Sequence, residues 1–150
     1  MTSATPAQTL PSLTIVRRIK ASPAKVYAAL SEPAQMLQWW GPDAGPTLSA
    51  EADVRPGGRF SVVFRMLNGQ EYNPTGVYRE VVPDRKLVFT WGPPDMPEPT
   101  SLVTFLLEPV EGGTELTLRH EQLPDEESCR SHEQGWNGFL NKLSDFTGDA

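Results

Sequence analysis

The stretch of sequence that decides the fold is the last one, which runs from Asp125 to Phe146 and reads DEESCRSHEQGWNGFLNKLSDF. Its apolar residues recur at spacings of three and four, which places them on one side of a helix. The residues of this stripe are Cys129, His132, Trp136, Phe139, Leu140, Leu143 and Phe146. The intervening polar residues are expected to face elsewhere: Glu126, Arg130, Glu133, Asn137 and Asn141. Such a helix needs a large apolar surface on which to pack.

The helix has a clear start but a weak centre. Asp125 follows Pro124 and is a good N-cap. Gly135 and Gly138 each lower the helix propensity by about 1 kcal/mol relative to alanine. These glycines either let the helix approach a sheet closely or leave room for a ligand beside Trp136, and both interpretations stay open.

The residues before this helix predict one strand and two short helices. Leu13 to Lys20 alternates like a strand, and Ser22 followed by Pro23 is typical of a helix start. A second short helix is predicted from Pro33 to Trp40. Its inward-facing residues are expected to be Met36, Leu37, Trp39 and Trp40.

From Thr47 onward the apolar pattern has a period of two, which is typical of strands. The predicted strands are Leu48 to Val54, Arg59 to Leu67, Glu71 to Val82, Arg85 to Trp91, Ser101 to Glu108 and Thr114 to Gln122. Asn68-Gly69 predicts a hairpin with a type I′ turn. Pro74 predicts an edge position or a bulge in the strand that follows.

Together these elements predict an α+β fold in which a curved antiparallel sheet of about seven strands wraps around a long C-terminal helix. The alternation indicates which side chains of the last strands face the helix. They are Leu87, Phe89 and Trp91, then Val103, Phe105 and Leu107, then Leu116, Leu118 and His120. A helix laid across such a sheet is expected to enclose a cavity.

The composition favours a single cytoplasmic domain. A chain of 150 residues is long enough for one core, which we place at residues 12–148 after a disordered tail at residues 1–11. The net charge of −6 argues against nucleic acid and anionic membranes as partners. The single cysteine excludes an internal disulfide, and no signal peptide or membrane span is predicted.

The aromatic residues on the predicted inner faces favour an apolar ligand pocket over a simple core. The candidate ligand-binding residues are Trp39, Trp40, Phe60, Phe64, Met66, Tyr78, Phe89, Trp91, Phe105, Leu118, His120, His132, Trp136, Phe139 and Leu140. A long proline-rich loop, Gly92 to Pro99, is either a stiff surface connection or a lid carrying Met96.

Polar candidates for chemistry are few. His120 is the one candidate acid or base, because an imidazole titrates near neutral pH, although a histidine within the core is the alternative. His132 lacks the second histidine of a zinc-protease helix, and the sequence predicts neither a metal site nor a cofactor. Glu80 and Arg59 either form an inward pair or lie at the rim.

Seven short motifs in order carry a family resemblance. They are Ser22-Pro23 with Val26-Tyr27, Trp39-Trp40-Gly41-Pro42, Pro56-Gly57-Gly58-Arg59-Phe60, Gly76-Val77-Tyr78-Arg79-Glu80, Val88-Phe89-Thr90-Trp91, Gly112-Gly113-Thr114-Glu115-Leu116 and His132-Glu133-Gln134-Gly135-Trp136. In this order the chain resembles the START-like helix-grip superfamily, also called SRPBCC. Within it, the motifs are similar to those of homologues of the activator of the heat-shock-protein-90 ATPase.

The resemblance implies three functional hypotheses. The first is a carrier or sensor of a small apolar molecule, which we prefer because many small relatives look like ligand-binding proteins. The second is a module that binds a chaperone, and the third is a cyclase-like or hydrolase-like enzyme using His120. A homodimer is a further expectation, because an edge strand such as Leu13 to Lys20 needs protection.

Overall fold

A curved antiparallel sheet and three helices make up the described chain, which comprises residues 11–41, 45–93 and 101–148 of a computed structural model. The helices are α1 (Pro23–Ser31), α2 (Pro33–Trp39) and α3 (Glu126–Gly148). The strands are β1 (Leu13–Ile19), β2 (Thr47–Ala52), β3 (Arg59–Arg65), β4 (Glu71–Tyr72), β5 (Thr75–Val82), β6 (Lys86–Trp91), β7 (Ser101–Val110) and β8 (Gly113–Glu121). All but one residue of the predicted tail, and most of the predicted proline-rich loop with Met96, lie outside the described residues.

The sheet joins the first strand of the chain to the last one. Its order is β1-β8-β7-β6-β5-β3-β2, with the two-residue β4 paired beside β3. The seven strands on this path confirm the predicted number, and the α+β architecture is the predicted one. In the pairing of β1 with β8, Leu13 lies opposite His120 and Ile15 lies opposite Leu118. β1 has a neighbour on one side only, so the homodimer through this edge stays a prediction.

The two short helices begin as the sequence predicts. The Ser22 side chain accepts a hydrogen bond from the backbone N–H of Lys25 at 3.2 Å, and Pro23 is the first residue of α1. The Trp39 indole donates to the carbonyl of Ala29 at 3.2 Å, which ties α2 to α1. One prediction is wrong: Leu37 is 42% exposed, because α2 is only two turns long and its inward face is filled by Met36 and Trp39.

The predicted strand from Glu71 to Val82 is interrupted where proline predicts it. β4 ends at Tyr72 and β5 begins at Thr75, so Pro74 separates two strands. The preceding hairpin exists, but its turn is not type I′. Gly69 has a φ of +92°, whereas Asn68 is not among the described residues with positive φ. The Asn68 side chain instead accepts the backbone N–H of Gln70 at 2.8 Å, which fits a type I turn followed by a glycine bulge.

The apolar stripe of α3 packs against the concave face of the sheet. Asp125 caps the helix, since its carboxylate accepts the backbone N–H of Ser128 at 2.8 Å. The buried residues of the stripe are Cys129, Trp136, Phe139, Leu140 and Leu143. The inner-face residues predicted for the last three strands are buried too, except for the half-buried Trp91. Docking on the sheet therefore stabilises a helix whose intrinsic propensity is low.

A polar clamp at the edge of the sheet also holds α3. The Arg17 guanidinium, on β1, donates to the side-chain oxygen of Asn137 at 2.8 Å and to that of Asn141 at 2.7 Å. These two asparagines lie one turn apart on α3, so a single planar group reaches both. The sequence pattern placed both asparagines away from the sheet and missed this contact.

We expect Arg17→Met to lower the free energy of unfolding by roughly 1–2 kcal/mol, because two hydrogen bonds from a charged donor are lost. The measurement is urea denaturation followed by circular dichroism. Arg18→Met is the matched control, because Arg18 lies on the same strand with an exposed side chain. Equal losses in the two variants would contradict the clamp.

Candidate functional site

Most of the predicted ligand-binding residues meet inside the molecule. The buried ones are Trp39, Trp40, Phe60, Tyr78, Phe89, Phe105, Leu118, His120, Trp136, Phe139 and Leu140. The half-buried ones are Phe64, Met66, Trp91 and His132. We call the buried set, together with Trp91, the aromatic interior.

Rings in mutual contact fill the aromatic interior from α2 to the far end of the sheet. The ring centroids of Trp40 and Phe139 are 4.8 Å apart, and those of Phe139 and Trp136 are 4.9 Å apart. The Trp136 ring in turn lies 4.9 Å from that of Trp91. Several of these contacts are edge-to-face, the arrangement that aromatic pairs prefer. The space beneath Trp136 is therefore occupied by side chains.

A small cavity lies between the sheet, α1 and the end of α2. Its volume is about 10 Å³, and it is lined by Leu30, Trp40, Phe60, Tyr78, Leu87, Phe89 and Phe105. This is room for about one water molecule. The described interior thus lacks the ligand-sized hollow that the fold led us to expect. The periodicity of the sequence says which side chains face inward, but not how completely they fill the space.

Two of the seven lining residues were not among the predicted ligand-binding residues. Leu87 lies on an inner face that the sequence analysis identified, so its alternation with Phe89 was the available signal. Leu30 lies on α1, and nothing in the sequence places that helix beside Phe60 and Tyr78. Its position follows from the tertiary packing.

The cavity has two polar groups in its wall. Trp40 and Tyr78 are each 3% exposed, and they are the only lining residues whose side chains carry a nitrogen or oxygen. Within the described chain, neither the Trp40 indole N–H nor the Tyr78 hydroxyl has a hydrogen-bond partner. The indoles of Trp39 and Trp136, by contrast, both donate to partners. A buried unpaired group of this kind costs about 1–3 kcal/mol.

The Tyr78 hydroxyl stays protonated. Burial raises its pKa above the usual value, and nearby Tyr27 and the carboxylate of Asp53 raise that pKa further. The hydroxyl is therefore available as a neutral donor and acceptor at any physiological pH.

A line of hydrogen bonds crosses the aromatic interior at its other end. The Trp136 indole donates to Nδ1 of His120 at 3.0 Å. Nε2 of His120 lies 2.7 Å from the Ser101 hydroxyl, which donates to the carbonyl of Trp91 at 2.9 Å. The line joins α3, β8, β7 and β6, and it leaves His120 fully buried. Ser101 was missed, although it extends the inward series of Val103 and Phe105 by one step.

These contacts fix the tautomer of His120. An indole N–H can only donate, so Nδ1 must be the unprotonated nitrogen, and Nε2 carries the proton that Ser101 accepts. Burial and, to a smaller extent, the neighbouring His132 together lower the pKa of His120 from 6.5 to about 3. The ring is therefore neutral near pH 7. Since Nε2 already holds a proton, the ring cannot remove one from Ser101 without first breaking the bond from Trp136.

His132 lies beside His120 without completing a metal site. The two ring centroids are 4.7 Å apart and the rings are nearly perpendicular. Nδ1 of His132 lies 2.8 Å from the carbonyl oxygen of Ser128, to which it donates. No group of three or more potential metal-ligating side chains occurs in the described ranges.

The remaining candidates lie outside the aromatic interior. The Phe64 ring packs on Tyr72 with centroids 5.6 Å apart, and Met66 belongs to the hairpin turn. Glu80 is exposed and forms an ion pair with Lys86 at 3.1 Å, while Arg59 is exposed on β3. The inward Arg59–Glu80 pair, which the sequence left open, does not form.

The buried neutral His120 predicts a specific pH dependence of stability. The pKa of His120 is about 3 in the folded protein and has its ordinary value of 6.5 in the unfolded chain. Between these two pH values, the unfolded chain therefore binds one more proton than the folded protein. The free energy of unfolding should fall as the pH falls below about 6.5, with a slope of up to about 1.4 kcal/mol per pH unit from this group. Urea denaturation of the wild type and of His120→Gln, repeated between about pH 7 and pH 5, measures this slope.

The stability advantage of the wild type over His120→Gln should shrink toward the acid end. Leu106→Gln, at an exposed residue of β7 that does not titrate, is the control and should keep the wild-type slope. Parallel curves for the wild type and His120→Gln would contradict a buried neutral His120. Nitrogen NMR should also show His120 protonated at Nε2 alone throughout this range.

Comparison with known families identifies the lineage of the fold. Residues 20–148 match the family described as Activator of Hsp90 ATPase homolog 1-like protein. The chain belongs to this family. The predicted START-like, SRPBCC lineage and its branch are thereby confirmed. No protein with a curated description matches the chain.

Solved structures of similar proteins share the fold over nearly their full length. The AHSA1 protein of Silicibacter pomeroyi is 32% identical with a TM-score of 0.77, and the match covers 90% of this chain and 96% of that one. A protein from Chromobacterium violaceum is 26% identical with a TM-score of 0.82, covering 93% and 98%. An AHSA1-like protein from Aeromonas hydrophila, 18% identical with a TM-score of 0.78 and 91% of each chain covered, shares the fold alone. In the part of the chain that the structure describes, no helix has the length and apolarity needed to cross a bilayer.

Proposed function

We propose that this protein binds a small, largely apolar molecule in the aromatic interior, between the helices and the concave face of the sheet. The observation that carries this proposal is the cavity at the centre of the aromatic interior. Its lining residues come from α1, the end of α2 and the sheet, and five of the seven are leucines or phenylalanines. The other two, Trp40 and Tyr78, carry the unpaired polar groups. Apolar walls with a few placed polar groups are typical of ligand sites.

The walls of the cavity suit a flat or aromatic molecule. The Phe60 and Phe89 rings meet edge-to-face at 5.1 Å, and Phe89 lies 5.7 Å from Phe105. A ligand that separates these rings would replace ring–ring contacts with ring–ligand contacts of the same kind. The interior therefore loses little contact energy when such a molecule enters.

Entry requires the interior to open. A cavity of about 10 Å³ holds less than a single ring, so side chains must move apart before the ligand fits. The half-buried Trp91 ring lies 6.1 Å from Phe60 and 6.3 Å from Phe89, both of which line the cavity. We place the route of entry past Trp91. The apparent affinity is then the intrinsic affinity reduced by the small population of the open state.

Binding without catalysis fits the hydrogen bonds of His120. Both ring nitrogens have partners inside the protein, and no carboxylate is among those partners. A general base needs a free lone pair directed at the reacting proton. We therefore favour a carrier or sensor over a cyclase-like or hydrolase-like enzyme.

Two measurements test the proposal. Native mass spectrometry of freshly purified protein should show a co-purifying apolar compound. Titration with the uncharged dye N-phenyl-1-naphthylamine should raise dye emission and quench tryptophan emission, because Trp40, Trp91 and Trp136 belong to the interior. A protein that carries no compound and leaves both emissions unchanged would contradict the proposal.

A matched pair of substitutions locates the site. Leu87→Phe fills the cavity and should weaken dye binding about tenfold, which corresponds to about 1.4 kcal/mol. Leu106→Phe, on the neighbouring strand but 39% exposed on the convex face, should leave the affinity unchanged. Circular dichroism verifies that both variants are folded. Equal weakening by the two variants would place the dye elsewhere.

A further inference from the structure

The two residues that carry the unpaired polar groups of the interior line the same cavity. The Trp40 indole comes from the end of α2, and the Tyr78 hydroxyl comes from β5. Both residues are 97% buried, as their exposure of 3% shows. Buried polar groups in native proteins are nearly always hydrogen-bonded, to protein or to ordered water. The described protein offers neither of these groups a partner, and a molecule in the cavity that both residues line would supply one.

The size of the cavity limits that partner to a single small group. A volume of about 10 Å³ accommodates about one water oxygen, and a buried water needs two or more polar partners. Trp40 and Tyr78 supply these two partners. The other five lining residues are leucines and phenylalanines, which offer no side-chain hydrogen bonds.

We propose that Trp40 and Tyr78 together bind one acceptor oxygen, which is an ordered water in the ligand-free protein and a neutral carbonyl or ether oxygen of the bound ligand. The water site stands on the cavity alone. The assignment of the ligand class rests on the proposed function, because it assumes that the ligand occupies this interior.

The chemistry of the two groups selects an acceptor. An indole N–H can only donate, so the group that it meets must carry a lone pair. A phenol hydroxyl can donate a second hydrogen bond to the same oxygen. A carbonyl oxygen has two lone pairs and satisfies both donors at once, whereas an ammonium group satisfies neither.

The surroundings of the cavity favour a neutral oxygen over a carboxylate. No cationic side chain lines the cavity, and a buried anion without a counter-charge is strongly unfavourable. The carboxylate of Asp53 is among the groups that raise the pKa of Tyr78, and it repels further negative charge. A fatty acid would therefore bind with its carboxylate outside this cavity, while a ketone, ester or ether fits.

A crystal structure of the ligand-free protein at high resolution tests the water site. We expect one ordered water within hydrogen-bond distance of Trp40 Nε1 and Tyr78 Oη, with reduced occupancy or loss in Tyr78→Phe. Tyr72→Phe is the matched control, because the Tyr72 hydroxyl is exposed and bonds to Gln70; this variant should keep the water. An empty cavity in the wild type would overturn the water site.

A pair of probes of the same shape tests the ligand class. Acetophenone carries a carbonyl group where α-methylstyrene carries a methylene group, so only the first offers an acceptor. By NMR titration, the wild type should prefer acetophenone about five- to tenfold. Tyr78→Phe and Trp40→Phe should each reduce this preference toward unity while leaving the affinity for α-methylstyrene nearly unchanged. Tyr72→Phe should keep the preference.

The outcomes of the probe experiment separate this inference from the proposed function. If both probes bind equally and Tyr78→Phe changes neither affinity, the acceptor site is wrong and the apolar binding site stands. If neither probe nor the dye binds, the proposed function fails, and with it the ligand class. In that case the crystal structure alone decides whether the water site exists.

Discussion

The docking of α3 on the concave sheet is the interaction on which the rest of the structure depends. The helix has glycines at its centre and would not persist alone in water. Its stripe is buried by the sheet, and its two edges are held by hydrogen bonds from Arg17 and to His120. Without this helix, the inner faces of β6, β7 and β8 would lose the side chains that cover them. The aromatic interior exists because the helix covers the sheet.

The fold could be read from the sequence because its signals are local and periodic. The spacing of Trp136, Phe139 and Leu143 identifies a helix face, Ser22-Pro23 identifies a helix start, and Pro74 identifies a break in a strand. The prediction that Leu37 faces inward was wrong because a helix of two turns buries too little of its surface for the pattern to be reliable. The prediction of a type I′ turn at Asn68-Gly69 was wrong because the same dipeptide also fits a bulged turn.

The candidate site was less predictable, because it depends on contacts between distant residues. Sequence placed His120 on an inner face but could not supply its partners, Trp136 and Ser101, which come from other elements. The sequence pattern also does not indicate how densely the side chains of the interior pack. Whether an aromatic residue lines a hollow or fills it is decided by the curvature of the sheet and the rotamers of all its neighbours. That Trp40 and Tyr78 line the same small cavity is not indicated by any local sequence pattern.

The pairing of β1 with β8 has a consequence for how the chain is made. Leu13 pairs with His120, so β1 cannot complete its pairing until β8 has been synthesised. β1 emerges from the ribosome roughly 100 residues before β8, which corresponds to a delay of about 5–20 s. Until then the nascent sheet has no closing strand and the helix that covers it has not been synthesised. Such non-local topology folds slowly. The domain consequently acquires its tertiary structure only after α3 has been synthesised, and its apolar strands lack the cover of that helix until then.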